Sequence, residues 1–187
     1  MAATAELSDF DHEEFVTCAR YGELDELQQL VSAYLDQHPT DPDHLPALKR
    51  SLFTVKNASG HTALHMAAAN GQHDILAFLL PSLTRDDVNI TNNEGSSALH
   101  WASVNGKLDC VELLLKFGAD ATLKNHAGKS SITVASQQDH LDVATALLKS
   151  FDPEDDDEDK EVDAGDEDFP EDETDFVIRA GETDDAN

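Results

Sequence analysis

Apolar residues recur at helical spacing over most of the chain, in pairs of short segments separated by polar turns. A segment rich in small residues, 62–70, precedes an apolar one, 73–80, and the same succession returns at 97–105 and 108–115. Apolar positions three and four residues apart mark the buried face of a helix. The periodicity stops after Phe151. The pattern therefore predicts paired helices up to that residue, followed by a segment that cannot collapse into a core.

Two stretches of the chain read almost alike. They are Gly60–Gly71, GHTALHMAAANG, and Gly95–Gly106, GSSALHWASVNG. Their glycines are 35 residues apart, and a weaker third copy begins at Gly128, another 33 residues on. A period near 33 residues with a Gly-x-Thr-x-Leu-His start is the ankyrin-repeat signature. The predicted fold is therefore an all-α ankyrin-repeat solenoid of about four helix-turn-helix repeats.

The repeats divide the chain into three predicted parts. Residues 1–10 are a flexible leader, 11–151 are an ankyrin-repeat domain with an insertion at about 36–56, and 152–187 are an acidic tail. The first repeat lacks the Thr-x-Leu-His start, as expected of a terminal repeat whose outer face meets water. Within the insertion, Pro46 at a first helical position predicts a short helix.

The last repeat is predicted to be the C-terminal cap of the stack. Thr133 stands where the earlier repeats have histidine, and Asp139 replaces the second glycine. Six apolar residues at helical spacing are predicted to form its core. They are Ile132, Ala135, Leu141, Val143, Leu147 and Leu148.

The charge of the chain is strongly and unevenly negative. Its formal net charge is −27, and residues 152–187 hold 19 acidic and 2 basic residues, net −17, which leaves −10 for the rest. Such a chain would repel nucleic acid and anionic membranes and attract a basic protein. We therefore expect no direct binding to nucleic acid or membranes.

The acidic tail admits two interpretations. It is either a solubilising charge run or an electrostatic clamp that covers the positive surface of a basic partner. Aromatic residues among the acids favour the clamp, since solubilisation needs none. The predicted tail contacts are Asp155, Asp156, Asp157, Glu158, Asp159, Phe169 and Phe176.

No set of residues predicts catalysis or a cofactor. His65 and His100 recur at one position of the repeat, where an imidazole can hydrogen-bond the backbone of the adjacent loop. The other histidines lack metal-ligand spacing, and no glycine-rich phosphate loop follows a strand. The prediction is no enzyme, no metal and no cofactor. Cys18 and Cys110 are expected to be reduced thiols in the core.

The surface of the repeats remains as the candidate for function. In an ankyrin stack the hairpin tips and the open side of the first helices line a concave groove suited to binding proteins. Trp101 could contact a partner there as a hot spot, or it could pack between repeats as core. The residues predicted to line the groove are Arg20, Tyr21, His61, Met66, Asn70, Glu94, Ser96, Trp101, Val104, Asn105 and Gln137.

The segments Thr62–Gly71 and Ala98–Asp109 resemble those of the fungal ankyrin-repeat chaperones dedicated to small-subunit ribosomal protein S-three. The plan is also similar, with a long gap after the first repeat and an acidic C-terminal extension, over roughly residues 11–160. The resemblance implies a chaperone that works without ATP. It would keep newly synthesised, basic S-three soluble and free of nonspecific RNA until its incorporation into the small ribosomal subunit.

The same resemblance implies how the client is held. Met66, Asn70, Trp101 and Asn105 would contact it in the groove, and the tail would mask its basic surface. A one-to-one complex, a monomeric free state and a location in cytoplasm and nucleus are expected. Two alternatives stay open, a general ankyrin-repeat adaptor between other proteins and an acidic histone-type chaperone.

Overall fold

The computed structural model describes residues 10–150 of the chain. These residues form ten α-helices, one 3₁₀ turn and two isolated β-bridges, Thr91–Ser97 and Lys124–Ser130. The elements are α1 (His12–Tyr21), α2 (Leu24–Gln37), α3 (Leu45–Phe53), α4 (Ala63–Asn70), α5 (His73–Leu79), the 3₁₀ turn Leu80–Ser82, α6 (Arg85–Val88), α7 (Ala98–Val104), α8 (Leu108–Lys116), α9 (Ser131–Gln137) and α10 (Leu141–Lys149).

Four helix pairs stack in the order of the chain. They are α1 with α2 (repeat 1), α4 with α5 (repeat 2), α7 with α8 (repeat 3), and α9 with α10 (repeat 4). The first helices of the pairs pack side by side, α1 on α4, α4 on α7 and α7 on α9, and α8 packs between α5 and α10. The inner helices approach closely because small side chains lie between them, and Ala67, Ala68 and Ala102 are completely buried. The all-α repeat fold predicted from the sequence is confirmed.

Aromatic side chains close the first repeat. Phe10, which the sequence analysis assigned to the leader, is buried and meets Phe15 and Tyr34 edge-on, with ring centroids 5.3 and 5.2 Å apart. Phe15 in turn stacks on Phe53 of α3 at 5.9 Å. The core of the repeats therefore already includes Phe10, while residues 1–9 of the predicted leader lie outside the described residues.

The insertion after the first repeat is folded and packs on the stack. Helix α2 continues to Gln37, and α3 starts at Leu45 with Pro46 in its first turn, as the sequence predicted. Leu52 and Phe53 at the end of α3 are fully buried. The inserted segment thus enlarges the hydrophobic core.

An ion pair fastens α3 to the second repeat. Arg50 donates from Nη2 to Asp87 Oδ1 at 2.9 Å and from Nε to Oδ2. Asp87 also caps α6 by accepting from the N–H and the hydroxyl of Thr84, at 2.9 and 2.6 Å. Burial acts to raise the pKa of Asp87, but the hydrogen bonds from Arg50 and Thr84 outweigh it and hold that pKa below its usual value.

The last repeat differs in part from the prediction. Val143 and Leu147 of α10 are buried as expected, but Leu141 and Leu148 are 71% and 58% exposed. The prediction that these two leucines lie in the core is wrong. Helical spacing identified α10 correctly, but no further repeat covers this side of the helix within the described residues.

Candidate functional site

The residues predicted to line the groove lie on α1, on the inner helices α4, α7 and α9, on the hairpins that precede α4 and α7, and, for Asn105, directly after α7. Their side chains differ in how much surface they offer to a partner. Arg20, Tyr21, Asn70, Glu94, Val104, Asn105 and Gln137 are exposed, His61, Met66 and Trp101 are half-buried, and Ser96 is buried.

Two exposed asparagines serve the ends of their own helices. Asn70 Nδ2 donates to the carbonyl of Met66 and Asn105 Nδ2 donates to the carbonyl of Trp101, both at 2.8 Å. Each bond lies at the C-terminal end of its own helix, where the carbonyl of Trp101 also accepts from the N–H of Asn105 at 3.3 Å. Each side chain keeps its amide oxygen free to accept from a partner.

Other predicted groove residues are also engaged within the stack. The Ser96 N–H donates to Asn92 Oδ1 at 2.9 Å, so this serine helps to shape its hairpin. Gln137 Oε1 accepts from Lys129 Nζ at 2.8 Å. The Arg20 guanidinium lies 5.7 Å from the ring centroid of Tyr21, a cation–π distance. Tyr21 itself is 64% exposed, so it offers aromatic surface beside a cation.

Trp101 stands between repeats 2 and 3. Its ring meets that of His61 edge-on, with centroids 5.2 Å apart and an interplanar angle of 89°. Its indole Nε1 is buried and has no hydrogen-bond partner among the described residues. Trp101 also lines a cavity that opens into the groove. Packing between repeats is thus observed, while contact with a partner stays a prediction.

The groove contains a cavity between repeats 3 and 4. It measures about 240 Å³ and lies between α7 and α9. Four of the predicted groove residues form part of its wall. The lining residues are Glu94, Ser96, His100, Trp101, Val104, Asn125 and Val134.

The recurring histidines join consecutive repeats. His65 Nδ1 accepts from the N–H of Thr62 at 3.2 Å, and His65 Nε2 donates to the carbonyl of Ser96 in the next hairpin at 3.0 Å. His100 repeats this arrangement, with Nε2 donating to the carbonyl of Lys129 at 3.1 Å. Burial lowers the pKa of His65 to about 4 and also lowers that of His100, so both rings are neutral at pH 7. The structural interpretation of these histidines is confirmed.

The sequence analysis missed an asparagine that shapes each hairpin. Asn57, Asn92 and Asn125 each accept two backbone N–H bonds at Oδ1, over distances of 2.9 to 3.1 Å. Such Asx turns replace backbone hydrogen bonds in a tight loop. The signal was present, since these asparagines are separated by 35 and 33 residues, as the hairpin glycines are.

The two cysteines and one further cavity are not part of the predicted groove. Cys18 and Cys110 are free and buried, and burial raises the pKa of the Cys110 thiol to about 11. Within residues 10–150, no three His, Cys, Asp or Glu side chains are grouped as a metal site, and no helix is long and apolar enough to cross a membrane. A cavity of about 380 Å³ lies between α5 and α8 and is lined by His73, Asp109, Glu112, Leu113 and Lys116.

The predicted tail contacts lie outside the described residues. They are Asp155, Asp156, Asp157, Glu158, Asp159, Phe169 and Phe176.

Comparisons with known proteins agree on the repeats. The family model "Ankyrin repeats (3 copies)" matches residues 15–125 and 82–159. No curated protein sequence gives a significant match. Among solved structures, the chain is similar to one in the crystal structure of the yeast ribosomal protein Rps3 in complex with its chaperone Yar1. The identity is 34%, the match covers 79% of this chain and 99% of that one, and the TM-score is 0.59. In all, 424 chains of solved structures match, so the fold alone does not select a partner.

Proposed function

The chain belongs to the ankyrin-repeat proteins, and on that basis we propose that it is a dedicated chaperone of the small-subunit ribosomal protein Rps3. It acts by binding rather than by catalysis. It holds newly made Rps3 in the groove of its repeats until the client joins the small ribosomal subunit.

One observation carries this proposal. The chain is 34% identical to a chain from the complex of Rps3 with its chaperone Yar1, and the match extends over 99% of that chain. Residue identity at this level over nearly the whole matched chain is more than a shared fold requires. The resemblance read from the sequence, in Thr62–Gly71 and Ala98–Asp109, points to the same client.

The charge of the chain supports a basic client of this kind. Its net charge is −27, and residues 152–187 account for −17 of it. A protein that binds ribosomal RNA needs a positive surface, and that surface must be shielded before assembly. The acidic tail provides carboxylates that cover this surface in place of RNA phosphates, which keeps the client soluble and free of nonspecific RNA.

Binding of this kind needs no nucleotide. The groove holds the client by shape and the tail by charge, and the client is released when ribosomal RNA offers more negative charge than the tail does. The chaperone accompanies its client from the cytoplasm to the nucleus. One groove and one tail hold one client, and the free chaperone is a monomer.

Purified components test the proposal directly. The full chain mixed with Rps3 should elute as a one-to-one complex in size-exclusion chromatography with light scattering. It should also prevent Rps3 aggregation without ATP, and added ribosomal RNA should release the client. A core histone serves as a control client of similar basic character. Equal protection of the histone would indicate a general acidic chaperone, and no binding to Rps3 would indicate an adaptor for another partner.

A further inference from the structure

Repeats 2, 3 and 4 carry side chains of different size at one position of the groove. Six residues after the hairpin glycine stand Met66, Trp101 and Val134. One residue after the same glycine, repeat 2 has His61 and repeat 3 has Ser96. These two positions face each other across the gap between consecutive repeats, as the contact between His61 and Trp101 shows.

The two gaps are therefore filled differently. Between repeats 2 and 3, the rings of His61 and Trp101 meet at 5.2 Å and occupy the space. Between repeats 3 and 4, the equivalent residues are Ser96 and Val134, so both rings are missing. The cavity of about 240 Å³ lies in this second gap. Its origin is the replacement of two large side chains by two small ones within an otherwise regular stack.

The size and lining of this cavity define what it can bind. Its volume exceeds the roughly 150 Å³ of a cavity that holds benzene and is below the roughly 300–1,000 Å³ of small-molecule sites. Trp101, Val104 and Val134 form an apolar wall. The exposed carboxylate of Glu94 lies at the mouth, and no ion pair engages it within the described residues.

We propose that this cavity is the anchor pocket for the client, a deduction that rests on the proposed function. It receives one large apolar side chain, aromatic or branched aliphatic, which stands where a tryptophan stands in the preceding repeat. A lysine or arginine beside that residue pairs with Glu94, which matches the net charge of −10 outside the tail. The recognised feature of the client is thus a large apolar residue next to a basic one.

Filling the pocket from inside the chain tests the proposal. Val134→Phe restores a ring to the gap and leaves Trp101 as the single tryptophan. We expect the thermal midpoint to be unchanged or higher and the affinity for Rps3 to fall at least about thirtyfold, as for loss of a hot spot. Trp101 fluorescence should change when Rps3 binds to the wild type. Thr145→Phe, which adds the same ring at an exposed position of α10, should bind like the wild type.

The outcomes separate this inference from the proposed function. If the wild type binds Rps3 and Val134→Phe binds equally well, the pocket is not the anchor, although the function stands. If the wild type does not bind Rps3, a displayed library of basic peptides replaces it as the probe. If the wild type enriches peptides with a large apolar residue next to a basic one, and Val134→Phe no longer binds these peptides, the pocket is supported. If the enriched peptides lack such pairs, the proposal is overturned.

A second variant covers the case in which Val134→Phe fails to fold. Val104 lies at the mouth of the pocket and is 38% exposed, so Val104→Gln leaves the core intact. It should weaken binding to Rps3 by at least about fivefold, because a polar group replaces apolar surface at the pocket entrance. Wild-type affinity in this folded variant would overturn the proposal.

Discussion

The imidazole of His65 makes hydrogen bonds in two directions. Nδ1 accepts from the cap of its own helix, and Nε2 donates to the carbonyl of Ser96 in the next hairpin. Only the neutral ring can do both, since protonation would place a second N–H against the N–H of Thr62. Thr133 stands at the equivalent position of the last repeat, beyond which the described residues contain no further hairpin. The histidine is thus present in repeats 2 and 3, each of which is followed by a further hairpin, whereas repeat 1 has Val16 at this position.

Stability should depend on pH through His65. Its pKa is about 4 in the folded protein and about 6.5 when unfolded. Because the folded pKa is the lower one, the contribution is complete above pH 6.5 and is lost as the pH falls towards 4. Between pH 7.5 and 5, the free energy of unfolding should fall by about 2 kcal/mol more for the wild type than for His65→Gln.

Denaturant unfolding at the two pH values measures this difference. His73→Gln is the control, because His73 lies on the surface of α5 and its ring is 48% exposed. This control should keep the pH dependence of the wild type. The same loss of stability in the wild type and in His65→Gln would show that another group titrates.

Trp101 contributes to packing and, under the proposed function, to binding. Trp101→Ala should reduce the affinity for Rps3 at least about tenfold, because the residue forms a wall of the anchor pocket. It should also lower the free energy of unfolding by about 1–3 kcal/mol, less than for a fully buried tryptophan, since the side chain is half-buried. Calorimetry and thermal unfolding measure the two effects. His61→Ala removes only the ring that packs on Trp101, so it separates the effect on stability from the effect on affinity. If folded Trp101→Ala binds Rps3 with unchanged affinity, Trp101 contributes only to the core.

At the scale of elements, the contact between successive hairpins fixes the spacing of the repeats. The hairpin glycines Gly95 and Gly128 both have positive φ, at 75° and 73°. A Cβ at Gly95 would lie 2.7 Å from His126 Cδ2 and 3.0 Å from its backbone nitrogen, whereas one at Gly128 meets nothing within 4 Å. The two sites share their backbone conformation but differ in whether another hairpin lies against them.

This difference makes a matched pair of substitutions. Gly128→Ala should cost only the strain of an alanine at positive φ, about 1–2 kcal/mol. Gly95→Ala should cost at least about 1 kcal/mol more, because the backbone of the next hairpin must also move. Equilibrium unfolding of both variants gives the comparison. Equal losses would mean that the hairpins do not pack rigidly on one another.

The sequence was sufficient for those elements whose signals are local and repeated. The helix pairs, the start of α3 at Pro46 and the histidine links can all be predicted from residues within one period of the repeat. The hairpin asparagines carried the same kind of signal and could have been predicted as well. Repetition is informative because each repeat meets the same neighbours, so the same contacts recur.

Other features depend on contacts that occur only once in the chain, so the repeat pattern does not predict them. The ion pair between Arg50 and Asp87 joins residues 37 positions apart, one of them in an insertion that occurs once. The exposure of Leu141 and Leu148 depends on whether another helix packs against α10, which helical spacing does not record. The anchor pocket arises from volume missing at two positions on different repeats, Ser96 and Val134, and only the packed stack shows that they face each other.

At the scale of the whole molecule, most of the negative charge lies in one part of the chain and the groove lies in another. Residues 1–151 carry a net charge of −10 and contain the groove and its apolar pocket, and residues 152–187 carry −17. Apolar contact in a pocket is insensitive to salt, whereas attraction between exposed charges is screened within about 10 Å at 0.1 M salt. The two contributions to client binding should therefore respond differently to ionic strength.

Removal of residues 152–187 tests this assignment. The truncated chain should bind Rps3 more weakly at low salt, and its affinity should depend much less on salt, because most of the net charge is gone. Calorimetric titrations at several salt concentrations measure the slope. Val134→Phe should weaken binding by the same factor in the truncated and the full chain, since separate contributions add in free energy. A truncated chain that no longer binds Rps3, or that binds a core histone equally well, would show that selectivity does not reside in the groove.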